Sequence, residues 1–318
     1  MNQVLETTRF VVQNAKHVKI NKEAIVSFCK SFEDKPFKHW ITEAPVDLCQ
    51  QGLDERLNFL LLFNSISFCY WGEPKWAIDY KGKKYDGSWA MICCIARALD
   101  EKKPVFDPDY LAGLSKEELA SILRGNVEIP LLNQRLRILN EVGSVLKKKF
   151  GSKFKNLIEQ ADHDGLALVE LILKNFKSFE DSSFYNGKKI FFNKRAQLLT
   201  EDIYQAFGGK DYGKLRNIDR LTACADYKLP QVLRKLGILI YSEELSKKVN
   251  SKLLITKDSE EEVEIRASTI WAVEMLKEKL KQKIPGIKSI NINDQIWLIS
   301  QVKSPDDKPY HRTLTTSY

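Results

Sequence analysis

Apolar residues along this chain recur mostly at helical spacing. Leu132, Leu136, Leu139, Val142 and Leu146 follow Pro130 at intervals of three and four, as do Ile270, Val273, Leu276, Leu280 and Ile284 farther on. Each run predicts a helix with one buried stripe. Asn21 stands where it can cap a helix over 22–32, and Ser115 with Glu118 forms a capping box for 116–123. Residues 57–71 are the most apolar run, but Asn58, Asn64 and Ser65 interrupt it and it is short for a membrane span, which predicts a buried helix. Against this helical background two segments read as β-hairpins, 76–85 around Lys81-Gly82-Lys83 and 184–192 around Asn186-Gly187. A third extended piece is expected over 290–299, and the polar stretch 257–264 is expected to be a loop. The pattern as a whole predicts a mainly α chain with small β-hairpins.

Composition narrows the class. At 318 residues and 43% hydrophobic content the chain can bury a large core. No Pro/Gly/Ser-rich linker, low-complexity tract or internal repeat divides it, so one domain over 1–318 is expected. The first residues lack the basic-then-apolar pattern of a signal peptide. Six cysteines (29, 49, 69, 93, 94 and 224) show no C-x-x-C pairing, and Cys93-Cys94 fall in an apolar helical stretch where thiols act as small hydrophobes. A reducing, cytoplasmic compartment follows as the expectation. Four scattered histidines offer no zinc spacing, and no metal or cofactor is expected. The net charge of +8 favours an anionic partner. The lysine clusters at 147–149, 188–189, 247–248 and alternate positions 277–283 are nevertheless spread out and read as solvated helix faces.

Two segments stand out for chemistry. In 221–237 one acid, Asp226, is stranded in a short turn between apolar helical stretches. Pro230 suits the first turn of the next helix and is expected to hold Leu229 extended, while Gly237 suits the stop after it. Asp226 is therefore expected in the connection, a few residues ahead of a helix start. In 191–207, Ala196, Leu199, Ile203 and Phe207 share a helical face and Asn193 can cap it, which puts Lys194 and Arg195 in the first turn. Cations there oppose the helix dipole at a cost of some tenths of a kcal/mol, whereas a bound phosphate or carboxylate would make the arrangement favourable. Residues 208–215 imitate the glycine and lysine spacing of a phosphate-binding loop. However, Leu215 stands where a magnesium-binding Ser/Thr must be, so the segment reads as a glycine-rich connection between helices. Phe68, Tyr70, Trp71, Trp76 and Trp89 gather near the first hairpin; each suits stacking on a flat base, and core packing uses such residues more often.

Arg97-Ala98-Leu99-Asp100-Glu101, Lys194-Arg195-Ala196-Gln197, Ala225-Asp226-Tyr227 with Pro230-Gln231, Glu264-Ile265-Arg266 and the tail Pro309-Tyr310-His311-Arg312 make a specific set. Together they resemble the queuosine-5'-phosphate N-glycosylase family over nearly the whole chain. The resemblance implies a DNA-glycosylase-like helical fold and Asp226 as the reacting carboxylate with Lys194 beside it. It also implies Tyr227, Trp71 and Ser88 as pocket residues. The implied reaction is hydrolysis of the N-glycosidic bond of queuosine 5'-monophosphate, releasing queuine and ribose 5-phosphate. The departures lie in the base pocket. Cys224 stands where the family has Phe, Asn293-Asp294 where it has Asp-Tyr, and Leu298 where it has a second Asp, and the pocket histidine expected after Trp40 has no counterpart. Either the pocket reads queuine differently, with Asp294 compensating, or the substrate is a related 7-deazapurine nucleotide.

Breaking an N-glycosidic bond builds positive charge on the sugar, which a carboxylate can stabilise, capture covalently or answer by orienting water. An ammonium close to Asp226 would lower its pKa by roughly 1–3 units. Lys194 either supplies that charge or holds the 5'-phosphate. With a single Lys-Arg anion site and no basic run interleaved with aromatics, the expected partner is a mononucleotide. Neither a stable nucleic-acid partner nor a membrane is expected. The rival readings are a nucleic-acid-binding or DNA-repair glycosylase-like protein, and a non-catalytic binder of a modified nucleotide.

Overall fold

Side-chain caps set many of the helix starts in this chain, and they phase the apolar stripes that build its core. The computed structural model describes residues 2–32, 37–47 and 52–318. In chain order the elements are α1 (Gln3–Asn14), β1 (Val18–Ile20), α2 (Lys22–Ser31), α3 (Leu53–Ile66), β2 (Ala77–Tyr80), β3 (Lys83–Asp86), α4 (Gly87–Asp100), α5 (Pro108–Gly113), α6 (Lys116–Ile122), α7 (Leu132–Phe150), α8 (Lys155–Gln160) and α9 (Gly165–Asn175). They continue as β4 (Ser182–Tyr185), β5 (Lys188–Phe191), α10 (Lys194–Ala206), α11 (Lys228–Lys235), β6 (Leu239–Tyr241), α12 (Glu243–Asn250), α13 (Glu260–Leu280) and α14 (Ser289–Ile299). Asn21 caps α2 by accepting from Glu23 and Ala24, and Ser115 and Glu118 close their capping box on α6. The chain is mainly α, as its pattern predicted.

Both hairpins form where expected. Lys81-Gly82 and Asn186-Gly187 each place two successive residues at positive φ, the turn whose twist matches the flanking strands. A third antiparallel pair, β1 with β6, joins segments more than 200 residues apart in register Val18↔Tyr241 to Ile20↔Leu239. Two local expectations fail. Residues 290–299 lie in helix α14 rather than an extended piece. Of the expected loop 257–264, the second half is the first turn of α13, because Ser259 accepts from the Glu262 N–H and three glutamates favour that helix end. Gly208 and Gly209, both at positive φ, end α10 and lead through a short 3-10 turn, so the imitation phosphate loop is a connection.

The largest apolar cluster is built from α3, α4, α7, α9 and α10, with Phe59, Ile92, Val142, Ile172 and Ile203 fully buried. A second surrounds Leu233, Ile265, Leu276 and Ile296 of α11, α13 and α14, and a third packs α1 and β5 on the other side of α13. Helix α13 therefore presents apolar residues to two clusters, as a helix buried on more than one side must. No helix among the described residues is long and apolar enough to cross a membrane. The five described cysteines are free thiols, and Cys49 lies outside the described residues.

Candidate active site

Asp226 sits two residues ahead of α11, and its Oδ1 accepts from the Lys228 and Leu229 N–H groups at 2.7 and 2.8 Å. Those two bonds cap the helix, so Leu229 is already helical rather than extended before Pro230. Pro230, in the first turn, has no N–H to satisfy. The carboxyl is half-buried and lines a cavity of about 520 Å³, a volume in the range of small-ligand sites.

Lys194 opens α10 from the facing wall, and Asn193, in the left-handed region, makes no side-chain cap. The cap comes instead from Asp181, whose Oδ2 accepts from the Lys194 N–H at 3.0 Å. Arg266 of α13 grips the same carboxylate at 2.9 and 2.6 Å. The Lys194 side chain is 6% exposed and has no carboxylate within 4 Å among the described residues. Burial nevertheless pushes the Asp226 carboxyl above its ordinary range, and the Lys194 charge pulls it back without reversing the shift. The lowering expected from a neighbouring ammonium is thus outweighed by desolvation.

Arg195 is not at the cavity. Its guanidinium donates to the Ser65 carbonyl at 2.6 Å and to the Ser178 carbonyl, and it lies over Phe68 and Phe179. Arg135, fully buried beneath, donates to the carbonyls of Ile66, Phe68 and Cys69. The last carbonyls of α3 have no partner in their own helix, and these two cations satisfy those of Ser65 and Ile66.

The closed end of the cavity is acidic and aromatic. Cys224 lines it, with its N–H donating to Asn293 Oδ1 at 3.0 Å and its thiol 3.3 Å from Glu201 Oε2. Asn293 and Asp294, on α14, also line it. Asp294 accepts from Gln205 at 2.9 Å, and burial pushes its pKa up to about 6. Behind it His39 Nε2 lies 3.3 Å from Asp202 and 3.9 Å from Asp294, while Trp40 and Asn64 donate to Asp202 at 2.8 Å each. Trp40, Phe68, Tyr70, Trp89, Tyr227 and Trp297 supply flat walls, with Trp89 and Trp297 meeting edge to face at 5.1 Å.

Of the residues singled out by sequence, Asp226, Lys194, Cys224, Tyr227, Asn293, Asp294 and Ser88 line this one cavity. Arg195, Trp71 and Leu298 do not: Trp71 packs under Arg312, and Leu298 shares its helix with the lining residues but not their position on it. Sequence reasoning missed His39, Asp202 and the cations Lys75, Lys84, Lys228 and Lys303 at the open end. His39 and Asp202 had no local signal, since Lys38 precedes the one and Thr200 and Glu201 precede the other. The lysines had none, since they come from three separate segments.

A family model described as queuosine salvage protein matches residues 48–318. The chain is 39% identical to a queuosine 5'-phosphate N-glycosylase/hydrolase of Sphaerobacter thermophilus, over 99% of this chain and 97% of the relative. Relatives of the same name from Mus musculus and Dictyostelium discoideum are 34% and 30% identical, each over 98% or more of both chains. Matched over residues 48–318 by the family model and over almost its full length by these relatives, the chain belongs to the queuosine salvage protein family.

Proposed function

We propose that this protein hydrolyses the N-glycosidic bond of queuosine 5'-monophosphate, releasing queuine and ribose 5-phosphate for salvage of the base into tRNA. The observation that carries the reading is a single cavity, in a member of this family, that holds a carboxylate, a buried ammonium unpaired among the described residues, aromatic walls and an acidic end. A nucleotide bearing a flat base and an amine has the complementary features. The base lies between the aromatic walls, Asp294 takes the side-chain amine, and the sugar meets Asp226.

As the bond between C1' and the base nitrogen lengthens, positive charge grows on the sugar. Oδ1 of Asp226 is committed to two N–H groups, which leaves Oδ2 to stabilise that charge. Water then supplies oxygen to C1' and a proton to the departing base. Lys194 supports the ionised form of Asp226. No cofactor is needed for this balance.

The cavity is closed at one end and mononucleotide-sized, which favours a small-molecule partner over a nucleic-acid strand. We read the whole chain as one domain, because the lining residues run from Trp40 to Tyr318, and as cytoplasmic, in keeping with its free thiols. The test is to incubate the protein with queuosine 5'-monophosphate and follow free queuine by mass spectrometry, with adenosine monophosphate and damaged DNA alongside. Tight binding of the nucleotide without release of base would leave a non-catalytic binder and sink the reading.

A further inference from the structure

Lys194 depends on its backbone for its aim. The ammonium ends a flexible four-carbon stem and has no hydrogen-bond partner or carboxylate among the described residues, so no contact there fixes where the charge lies. Burial raises the pKa of the Asp226 carboxyl, and of the cations that oppose the shift Lys194 has the larger effect and Lys228 the smaller. Tyr227, next in the chain, is a further titratable neighbour. The position of the Lys194 ammonium therefore governs how strongly the carboxyl is held ionised.

A residue 13 positions earlier makes the mount. Three successive N–H groups at the start of α10, those of Phe192, Asn193 and Lys194, converge on Asp181. The first two donate to its backbone carbonyl at 3.0 and 3.1 Å, and the third donates to its carboxylate at 3.0 Å. Asp181 stands just before β4 and is itself held from α13, where two N–H arms of Arg266 reach its two carboxylate oxygens at 2.9 and 2.6 Å. Burial favours the protonated form of Asp181, but Arg266 outweighs it and keeps the carboxyl below its ordinary range. That charge is thus matched by Arg266, and the Lys194 ammonium stays open to the cavity. Arg266 lies over the Phe192 ring at 3.9 Å and faces Glu262 at 3.8 Å, and Glu262 accepts from the Tyr318 hydroxyl at 2.8 Å. All of these side chains are buried. Both ends of the run of contacts, Tyr318 and Lys194, line the cavity, so the network joins two walls of the site.

We infer that Asp181, gripped by Arg266, is the positioning residue for Lys194: it fixes the backbone from which that ammonium reaches the Asp226 carboxyl. This rests on the reading of Lys194 and Asp226 as partners in base release. It gives the buried Asp181–Arg266 pair a task at the site besides capping α10.

The test reads Asp226 itself, by carbon NMR titration of aspartate-labelled protein with Asp226→Asn to assign the signal, and follows kcat and KM beside it. Lys194→Met should raise the Asp226 pKa, because an opposing cation is lost. Asp181→Glu keeps the charge that Arg266 needs but moves the acceptor by one methylene. It should raise the Asp226 pKa part of the way, and no further once Lys194→Met has removed the ammonium. A misplacement of about 1 Å can cost about a hundredfold, so Asp181→Glu should lower kcat at least about tenfold with KM changed less than about twofold. In the Lys194→Met background the same change should lower kcat by less than about twofold. Asp181→Asn, of native volume, serves where the longer side chain overpacks the site. It strands Arg266 and lowers stability, but its effect on kcat in the folded protein should likewise disappear in the Lys194→Met background. An Asp226 pKa that does not move in Asp181→Glu, or the same loss of kcat in both backgrounds, overturns the assignment and marks Asp181 as a brace for the fold. If the protein releases no base while the Asp226 pKa responds to Asp181 only through Lys194, the hydrolase reading fails and the positioning role stands. If base is released and the Asp226 pKa ignores Asp181, the reverse holds.

Discussion

One carboxyl group, Asp226, feels burial pushing its pKa up and Lys194 pulling it down, with burial prevailing. If the ionised form is the one that acts, kcat/KM should rise with pH through a value above the ordinary 3.8 of an aspartate. Lys194→Met removes the downward pull, so the same limb of the pH profile should move to higher pH; a limb that stays put or moves lower would separate the two residues. Asp226→Asn keeps size and removes charge, and should cut base release by on the order of a hundredfold or more. The Lys194→Ala loss should be smaller and less than additive with it in a double mutant, because interacting groups couple. Near-wild-type release by a folded Asp226→Asn protein would place the chemistry elsewhere. At the closed end, Asp294 has its pKa pushed up to about 6 by burial. Affinity for an amine-bearing nucleotide should therefore climb as pH rises through about 6, and Asp294→Asn should flatten that climb. A nucleotide lacking the amine should show neither effect.

Arg195 matters at the scale of the helix rather than the ligand. With Arg135 it satisfies the carbonyls at the end of α3, on the strip of backbone that carries Phe68 and Tyr70 into the cavity. Arg135→Met strands those carbonyls in a buried place and should cost about 2–4 kcal/mol in urea unfolding, since each unmet buried group costs about 1–3 kcal/mol. A loss below about 1 kcal/mol would mean that water or a shifted backbone takes over the role. Gly143, in the middle of α7, is a second such position. An alanine Cβ there would stand 2.4 Å from the Ala112 nitrogen and 2.5 Å from the Pro108 carbonyl oxygen of α5. Helix propensity alone favours Ala over Gly by about 1 kcal/mol, whereas overpacking costs about 1–3 kcal/mol. Gly143→Ala should thus be destabilising, and a raised melting temperature would show that α5 can back away freely.

Across the molecule the cavity draws on α4, α10, α11 and α14 and on the chain's final segment. That segment is buried through His311, Thr313, Thr315 and Tyr318, with Leu314 turned outward at 55% exposure. It is tied down by Ile255 donating to the Arg312 carbonyl and Cys69 donating to that of Tyr318. Burial, with Arg266 nearby, lowers the His311 pKa from 6.5 to about 3. The folded protein then binds fewer protons at this site than the unfolded chain between those two values. The stability contributed by neutral His311 is present above about 6.5 and is lost as pH falls toward about 3, by about 1.4 kcal/mol per pH unit. His311→Gln should make the acid limb of a stability profile shallower by about that amount; an unchanged slope would show that the tail releases before the histidine protonates.

The sequence by itself determined what depends on near neighbours. Both hairpins, the capped starts of α2 and α6, the stripe of α7 and the turn holding Asp226 follow from residues within a few positions of one another. Family membership was legible for a related reason, since its motifs are short contiguous strings. What failed locally failed because the partner was distant. Asp181, not Asn193, caps α10, and Arg195 serves α3 rather than a ligand. Residues 290–299 alternate like a strand, but α14 buries Ile290, Ile292 and Ile296 in the core and turns Asn293 and Asp294, both buried, to the cavity. The tail inverts the usual rule, with threonines inside and Leu314 outside, because its backbone is fixed by bonds to other elements. Only the tertiary structure could gather Lys75, Lys228 and Lys303 at one rim and His39, Asp202 and Asp294 at the other end. Charge separation across a cavity is a property of space, and lysines from three remote segments carry no mark of their meeting in the order of the chain.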